Sequence, residues 1–148
     1  MSQVYIVAAS RTAVGSLGKS LKNINADKLG SCVISDVLNK SKLKSSDIDE
    51  IIMGQVLTGG TGQNPARQAA INSGLPKEKP AYLVNQVCGS GLRSIASAFQ
   101  SIKSGDSKII IAGGQENMSL APHAIHLRDG QKLGDAELMD TMIKDGLW

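Results

Sequence analysis

Four nearly continuous apolar stretches, residues 4–9, 51–57, 82–87 and 108–112, are rich in β-branched side chains and bounded by Gly, Pro, Ser or Asp. Each reads as a β-strand. Because the runs are continuous instead of alternating, they predict strands covered by helices on both faces, and hence a largely parallel, buried sheet.

Helical spacing fills the intervals. Over residues 26–40, Leu29, Cys32, Val33, Val37 and Leu38 recur every three or four positions, with Asn25 as a candidate cap. Asn64 before Pro65 announces a second helix that ends at Gly74 and Pro76. A third begins after Cys88, carries Leu92, Ile95, Phe99 and Ile102 on one face and ends at Gly105. Its other face holds the small residues Gly91, Ser94, Ser97 and Ala98, which predicts a helix sandwiched between two other layers. Residues 135–144, with Leu138, Met139, Met142 and Ile143, read as one more short amphipathic helix. Alternating strands and helices of this kind predict an α/β fold with right-handed crossovers. A chain that stops partway into a new segment is expected to be truncated, because a lone sandwiched helix leaves one apolar face wet.

With 148 residues and 41% hydrophobic content, the chain can bury one core. The net charge of +3 comes from dispersed charges, and the few aromatics, Tyr5, Tyr82, Phe99 and Trp148, are scattered, so a nucleic-acid surface is not expected. The amino-terminal stretch has neither a basic leader region nor a span-length apolar run, and the two cysteines form no CxxC pair. These features predict a cytoplasmic protein with no membrane partner and no metal. His123 and His126 lack a third ligand, and Cys32 lies on the apolar stripe of the first helix, where packing is the expected role.

The chemistry points to NQVCGSGLRS at 85–94, where a strand ends, Cys88 sits at the turn and a glycine-rich entry opens a helix. Unsatisfied N–H groups and the positive end of the helix dipole at such a place favour a thiolate or an oxyanion. This block resembles the nucleophile motif of the thiolases. IVAASRTAVGS at 6–16, GGTGQNPARQAA at 59–70, AGGQENMSLAPH at 112–123 and HLRDGQKLGDAELMDTMIKDGL at 126–147 are similar to the family in order and spacing. The last block resembles the biosynthetic acetoacetyl-CoA thiolases.

The resemblance implies a thiolase-like N-terminal domain over 1–118, a mostly parallel mixed five-stranded sheet with helices on both faces, the fifth strand belonging to later chain in the intact family or being absent here, and the start of the thiolase loop region at 119–148. It implies that Cys88 carries the acyl group and lends its backbone N–H to an oxyanion hole, and that Leu147 lies near the pantetheine arm of coenzyme A. Coenzyme A thioesters would be substrates, with no cofactor. The family's activating histidine and second cysteine belong to carboxy-terminal motifs absent from these 148 residues. An ordinary thiol is a few per cent ionised at neutral pH, and a helix terminus contributes only ~0.3–1 kcal/mol, so the isolated chain is expected to lack turnover. Thiolases are oligomers, which implies a homo-oligomer or a complementary carboxy-terminal half as partner. A non-catalytic remnant is the alternative from another class; a nucleotide-binding domain is disfavoured by the missing GxGxxG and GxxxxGK[ST] spacings. Arg11, Asn64, Arg67, Asn85, Gln115, Glu116 and Asn117 fall in the matching blocks and are expected to satisfy buried backbone, with Gly113 and Gly114 permitting close packing beneath the Cys88 helix.

Overall fold

Three of the apolar runs pair as a parallel sheet in the computed structural model, which describes residues 3–148; Met1 and Ser2 of the amino-terminal stretch lie outside it. The strands are β1 (Glu50–Gly54), β2 (Ala81–Val84) and β3 (Ile110–Gly114). Their order is β2-β1-β3, and the register sets Ile51 beside Ala81 and Ile111, and Gly54 beside Val84 and Gly114. Helices α1 (Ala26–Ser41), α2 (Pro65–Asn72) and α3 (Ser90–Ser104) provide the crossovers.

Side chains alternate across a strand, so each face of this small sheet has its own layer. Ile51 and Met53 join Ala81, Leu83, Ile109 and Ile111 in a cluster with Ile34 of α1 and Ala66, Ala69 and Ala70 of α2. The positions between them face α3, which packs on β1 and β3. Helices therefore cover both faces, as the continuous apolar runs predict, and the parallel α/β core is confirmed.

The sheet differs from expectation in strand number. Residues 4–9 have the composition of a strand but pair with nothing, and Ile6 is 84% exposed. A strand is stable only when a neighbour takes up its N–H and C=O groups, and no described strand pairs with this one. Among the described residues three strands form the main sheet where four apolar runs read as strands, the family's fifth being expected outside this chain. The only antiparallel pair among the described residues is separate from it, β4 (His123–Ala124) with β5 (Met139–Asp140).

That pair also corrects the carboxy-terminal helix read over 135–144. Residues 135–138 are irregular and exposed, Met139 and Asp140 are extended, and a wide helical turn runs over Met142–Leu147. The Asp140 carboxylate decides this, since its Oδ1 accepts from the Met142 N–H at 2.9 Å and so starts the helical turn after residue 140.

Caps follow the sequence at one helix and not at another. Asn64 Oδ1 accepts from the Arg67 N–H at 3.1 Å while its Nδ2 donates to the Ala81 carbonyl at 2.9 Å, tying the start of α2 to β2. Asn25 occupies the cap position of α1 without a side-chain bond. No helix among the described residues is long and apolar enough to cross a membrane.

Candidate active site

In a parallel sheet the carboxyl ends of the strands collect the loops that are free to bind and react. Here that edge carries residues 55–57 after β1, 85–89 after β2 and 115–117 after β3. Cys88 lies two residues before α3 with an exposed, free thiol. It is therefore at a helix start and open to solvent, as its motif requires.

The turn before α3 is sharply bent. Val87 has φ of 49°, a left-handed conformation that a β-branched residue rarely adopts. Such strain persists only where surrounding bonds hold it. The Val87 N–H donates to Asn85 Oδ1 at 3.0 Å, and its carbonyl accepts from the Ser90 N–H at 3.1 Å and from Ser90 Oγ at 2.6 Å. Ser90 Oγ in turn accepts from the Gln86 N–H at 2.8 Å. No side chain caps α3, whose N-cap is Gly89. The N–H of Ser90, the first helical residue, is instead satisfied by the Val87 carbonyl.

Three glycines bring this helix mouth onto the sheet. A Cβ on Gly54 would stand 2.3 Å from the Ser90 carbonyl carbon and 2.5 Å from the Gly91 nitrogen. A Cβ on Gly114 would meet the Gly91 Cα at 3.2 Å. Ser94, fully buried on the same helix face, lies 2.7 Å from the carbonyls of both Gly91 and Gly113 and anchors the next turn. Gly114 thus has the role expected of it. Gly113 does not, because it faces the other side of the sheet, where a Cβ would meet only Met53 Sδ at 3.9 Å.

The outer face of α3 remains open, with Leu92 75% exposed and Ile95 and Phe99 also exposed. Small residues face the sheet and large apolar ones face out, the arrangement expected of a helix between two layers of which one is present here. Leu147 is exposed in the turn Met142–Leu147, and that turn rests on residues after β1, since a Cβ on Gly146 would meet Leu57 Cδ2 at 3.3 Å. Cys88 and Leu147 thus follow segments at the same edge of the sheet. A cavity of about 180 Å³ lined by Asn25, Gln55, Gly60, Glu116, Asn117 and Leu120, among others, includes neither of them.

The motif polar residues bind backbone. Arg67 donates to the carbonyls of Lys79 and Lys77, and Asn117 Nδ2 to those of Leu21, Lys22 and Ile24. Glu116 Oε2 accepts from the N–H groups of Val56 and Leu57, and Gln115 Nε2 bridges Gln55 Oε1 and the Pro65 carbonyl. Arg11 is exposed and reaches only the adjacent Thr12 carbonyl. Cys32 departs from the packing role read for it, because its thiol faces solvent on α1. His123 pairs at 4.0 Å with Asp140, and no cluster of three or more His, Cys, Asp or Glu occurs among the described residues.

Sequence reasoning missed Gly54 and Ser90. Gly54 interrupts an otherwise branched strand, IIMGQV, a pattern that signals close approach by another backbone. No comparable signal marked Ser90, whose role follows from the left-handed turn.

Comparison with known proteins gives a consistent identification. Residues 4–148 match the family model for the thiolase N-terminal domain. An acetyl-CoA acetyltransferase from Paracoccus denitrificans is 53% identical over 148 residues, and one from Cupriavidus necator is 56% identical over 149. Both matches cover 100% of this chain and 38% of the relative, so the chain spans well under half the length of these proteins. The crystal structure of the Acat5 thiolase from Ascaris suum in complex with coenzyme A superposes with a TM-score of 0.92 at 38% identity, covering 96% of this chain and 37% of that one.

Proposed function

The chain belongs to the thiolase family, and from that premise we propose that it serves thiolase-type acyl transfer with Cys88 as the acyl acceptor. The observation that carries this reading is the exposed Cys88 thiol at the uncapped mouth of α3, next to the strained Val87 turn. The Cys88 thiolate attacks the carbonyl carbon of acetyl-CoA, and the C–S bond to coenzyme A breaks as its thiolate leaves with the electron pair. An acetyl-Cys88 thioester remains. A second acetyl-CoA loses an α-proton to a base, and its carbanion attacks the acetyl carbonyl. Acetoacetyl-CoA forms, and the Cys88 thiolate is released. The reverse sequence cleaves acetoacetyl-CoA.

N–H groups at the opening of α3, with that of Cys88, would steady the oxyanion that forms in each attack. Leu147 would lie along the pantetheine arm of coenzyme A, with residues 1–118 forming the catalytic α/β domain and 119–148 opening the loop region. No cofactor enters these steps, because the thioester supplies its own activated carbonyl. We place the protein in the cytoplasm, in keeping with its free thiols and with a 47% identical relative from Rattus norvegicus described as cytosolic.

The activating histidine and the α-proton base come, by family pattern, from segments beyond these residues. The exposed apolar face of α3 supports a layer supplied by such a segment or by a complementary chain, and the free edge of β2 supports pairing with a second copy. Acetoacetyl-CoA cleavage should be absent from the 148-residue chain alone and appear when it is mixed with the remaining portion of a relative such as the Cupriavidus enzyme. Cys88→Ala should abolish it. Cleavage by the chain alone, or by the mixture containing Cys88→Ala, would overturn the proposal.

A further inference from the structure

Val87 is the only residue of the turn at 85–89 with positive φ, and it precedes Cys88, the proposed nucleophile. A left-handed valine relaxes toward negative φ unless its peptide groups are held, and any such rotation swings the next Cα. Ser90 Oγ spans the turn, accepting from the Gln86 N–H at 2.8 Å and donating to the Val87 carbonyl at 2.6 Å, so one atom ties together the 85–86 and 87–88 peptide groups, the second of which leads into Cys88. Ser90 is 4% exposed, so water does not compete for these bonds. The 86–87 peptide between them is held by the exposed Asn85 and by the Gly89 N–H, and the Ser90 N–H also reaches the Val87 carbonyl, which leaves the Ser90 hydroxyl as the one buried side chain that holds the turn.

We propose that Ser90 is a positioning residue whose buried hydroxyl locks the left-handed turn at Val87 and so holds Cys88 at the open end of α3. It touches no substrate and acts only through the backbone. The inference rests on the reading that Cys88 is the nucleophile, but its test uses a reagent that needs no coenzyme A. Failure of one is therefore distinguishable from failure of the other.

The test follows alkylation of Cys88 by iodoacetamide at neutral pH, read by intact mass, in a Cys32→Ser background that leaves one thiol. Ser90→Ala removes both hydroxyl bonds and should slow the reaction at least about fivefold to tenfold. Glycine takes positive φ without a clamp, so Val87→Gly alone should stay within about twofold of the parent. The double variant Val87→Gly/Ser90→Ala should recover most of the lost rate. That recovery separates positioning from a general structural role, which a change at residue 87 would not repair. An unchanged or faster Ser90→Ala, or a double variant as slow as Ser90→Ala, overturns the proposal. Should Ser90→Ala not fold, the double variant decides alone: a near-parental rate supports the lock, while a lost rate or failure to fold overturns it.

Discussion

Replacing Gly54 by alanine adds one methyl group at the point where β1 meets the backbone of α3. That methyl would lie 2.3 Å from the Ser90 carbonyl carbon, 2.5 Å from the Gly91 nitrogen and 2.6 Å from the Ser90 oxygen. Ordinary contact needs about 3.5 Å or more, so the mouth of α3 must retreat by roughly 1–1.5 Å. The obstructing atoms are backbone, on a helix whose next turn is fixed by Ser94, so no side-chain rotation relieves the clash. Overpacking of this kind costs ~1–3 kcal/mol, and the backbone collision argues for the upper end. At ~2–4 °C per kcal/mol for a chain near this size, the melting temperature should fall by about 6–12 °C. Displacing the reactive group by an ångström should also slow acetylation of Cys88, by up to ~100-fold. Gly113→Ala is the matched control, since its methyl would meet only Met53 Sδ at 3.9 Å. Thermal melts with acetyl-CoA labelling read by intact mass make both comparisons. Parental stability and labelling in Gly54→Ala would show that the close approach of α3 to the sheet is not what sets the position of Cys88.

Two further predictions concern carboxylates at the opposite end of the sheet. Burial, with a smaller contribution from Asp106, raises the Glu50 carboxyl above its ordinary 4.5. A raised carboxylate favours folding below its unfolded value and loses that contribution as pH rises through the folded value. Glu50→Gln should therefore melt on the order of 1–2 °C higher than wild type at pH 7, with the gain vanishing below about pH 4, and a gain that persists in acid would contradict this. Asp49 shows the reverse. Its carboxylate accepts from the N–H groups of Ile109 and Lys108, at 2.9 and 2.7 Å, and these bonds hold it below 3.8. Its contribution is present above the unfolded value and lost as pH falls through the folded one, so Asp49→Ala should melt below wild type at pH 7 and converge with it in strong acid. A gap independent of pH would refute the role of the charge.

Much of this architecture was readable from residue pattern because the core follows local rules. β1, β2 and β3 carry branched apolar runs that two helical layers bury, and their observed ends fall within about three residues of the readings. Asn64-Pro65 and Gly105 mark helix ends through backbone chemistry that neighbours cannot override. Residues 4–9 failed as a strand because strand formation depends on a partner, and strand-like composition says nothing about whether that partner is present. The same limit explains α3. Its strong stripe of Leu92, Ile95 and Phe99 looks like a core face, yet the sheet takes the small face, since Gly54 and Gly114 leave room only for backbone. Cys32 shows how a residue at the edge of an apolar stripe can stay in solvent. The placement of Cys88 between a strand end and a helix start was legible from the glycines and the apolar run, whereas the left-handed turn at Val87 and its bonds to Ser90 depend on a dihedral angle that composition does not encode.

The claim on which the account turns is that the Cys88 thiol takes an acyl group from a coenzyme A thioester. Intact-mass analysis of the chain after incubation with acetyl-CoA tests it most directly. The account predicts a single acetyl adduct that maps to Cys88, survives Cys32→Ser and disappears in Cys88→Ala. An adduct that persists in Cys88→Ala, or no Cys88 adduct even when the remaining portion of a relative is added to supply the activating histidine, would contradict it.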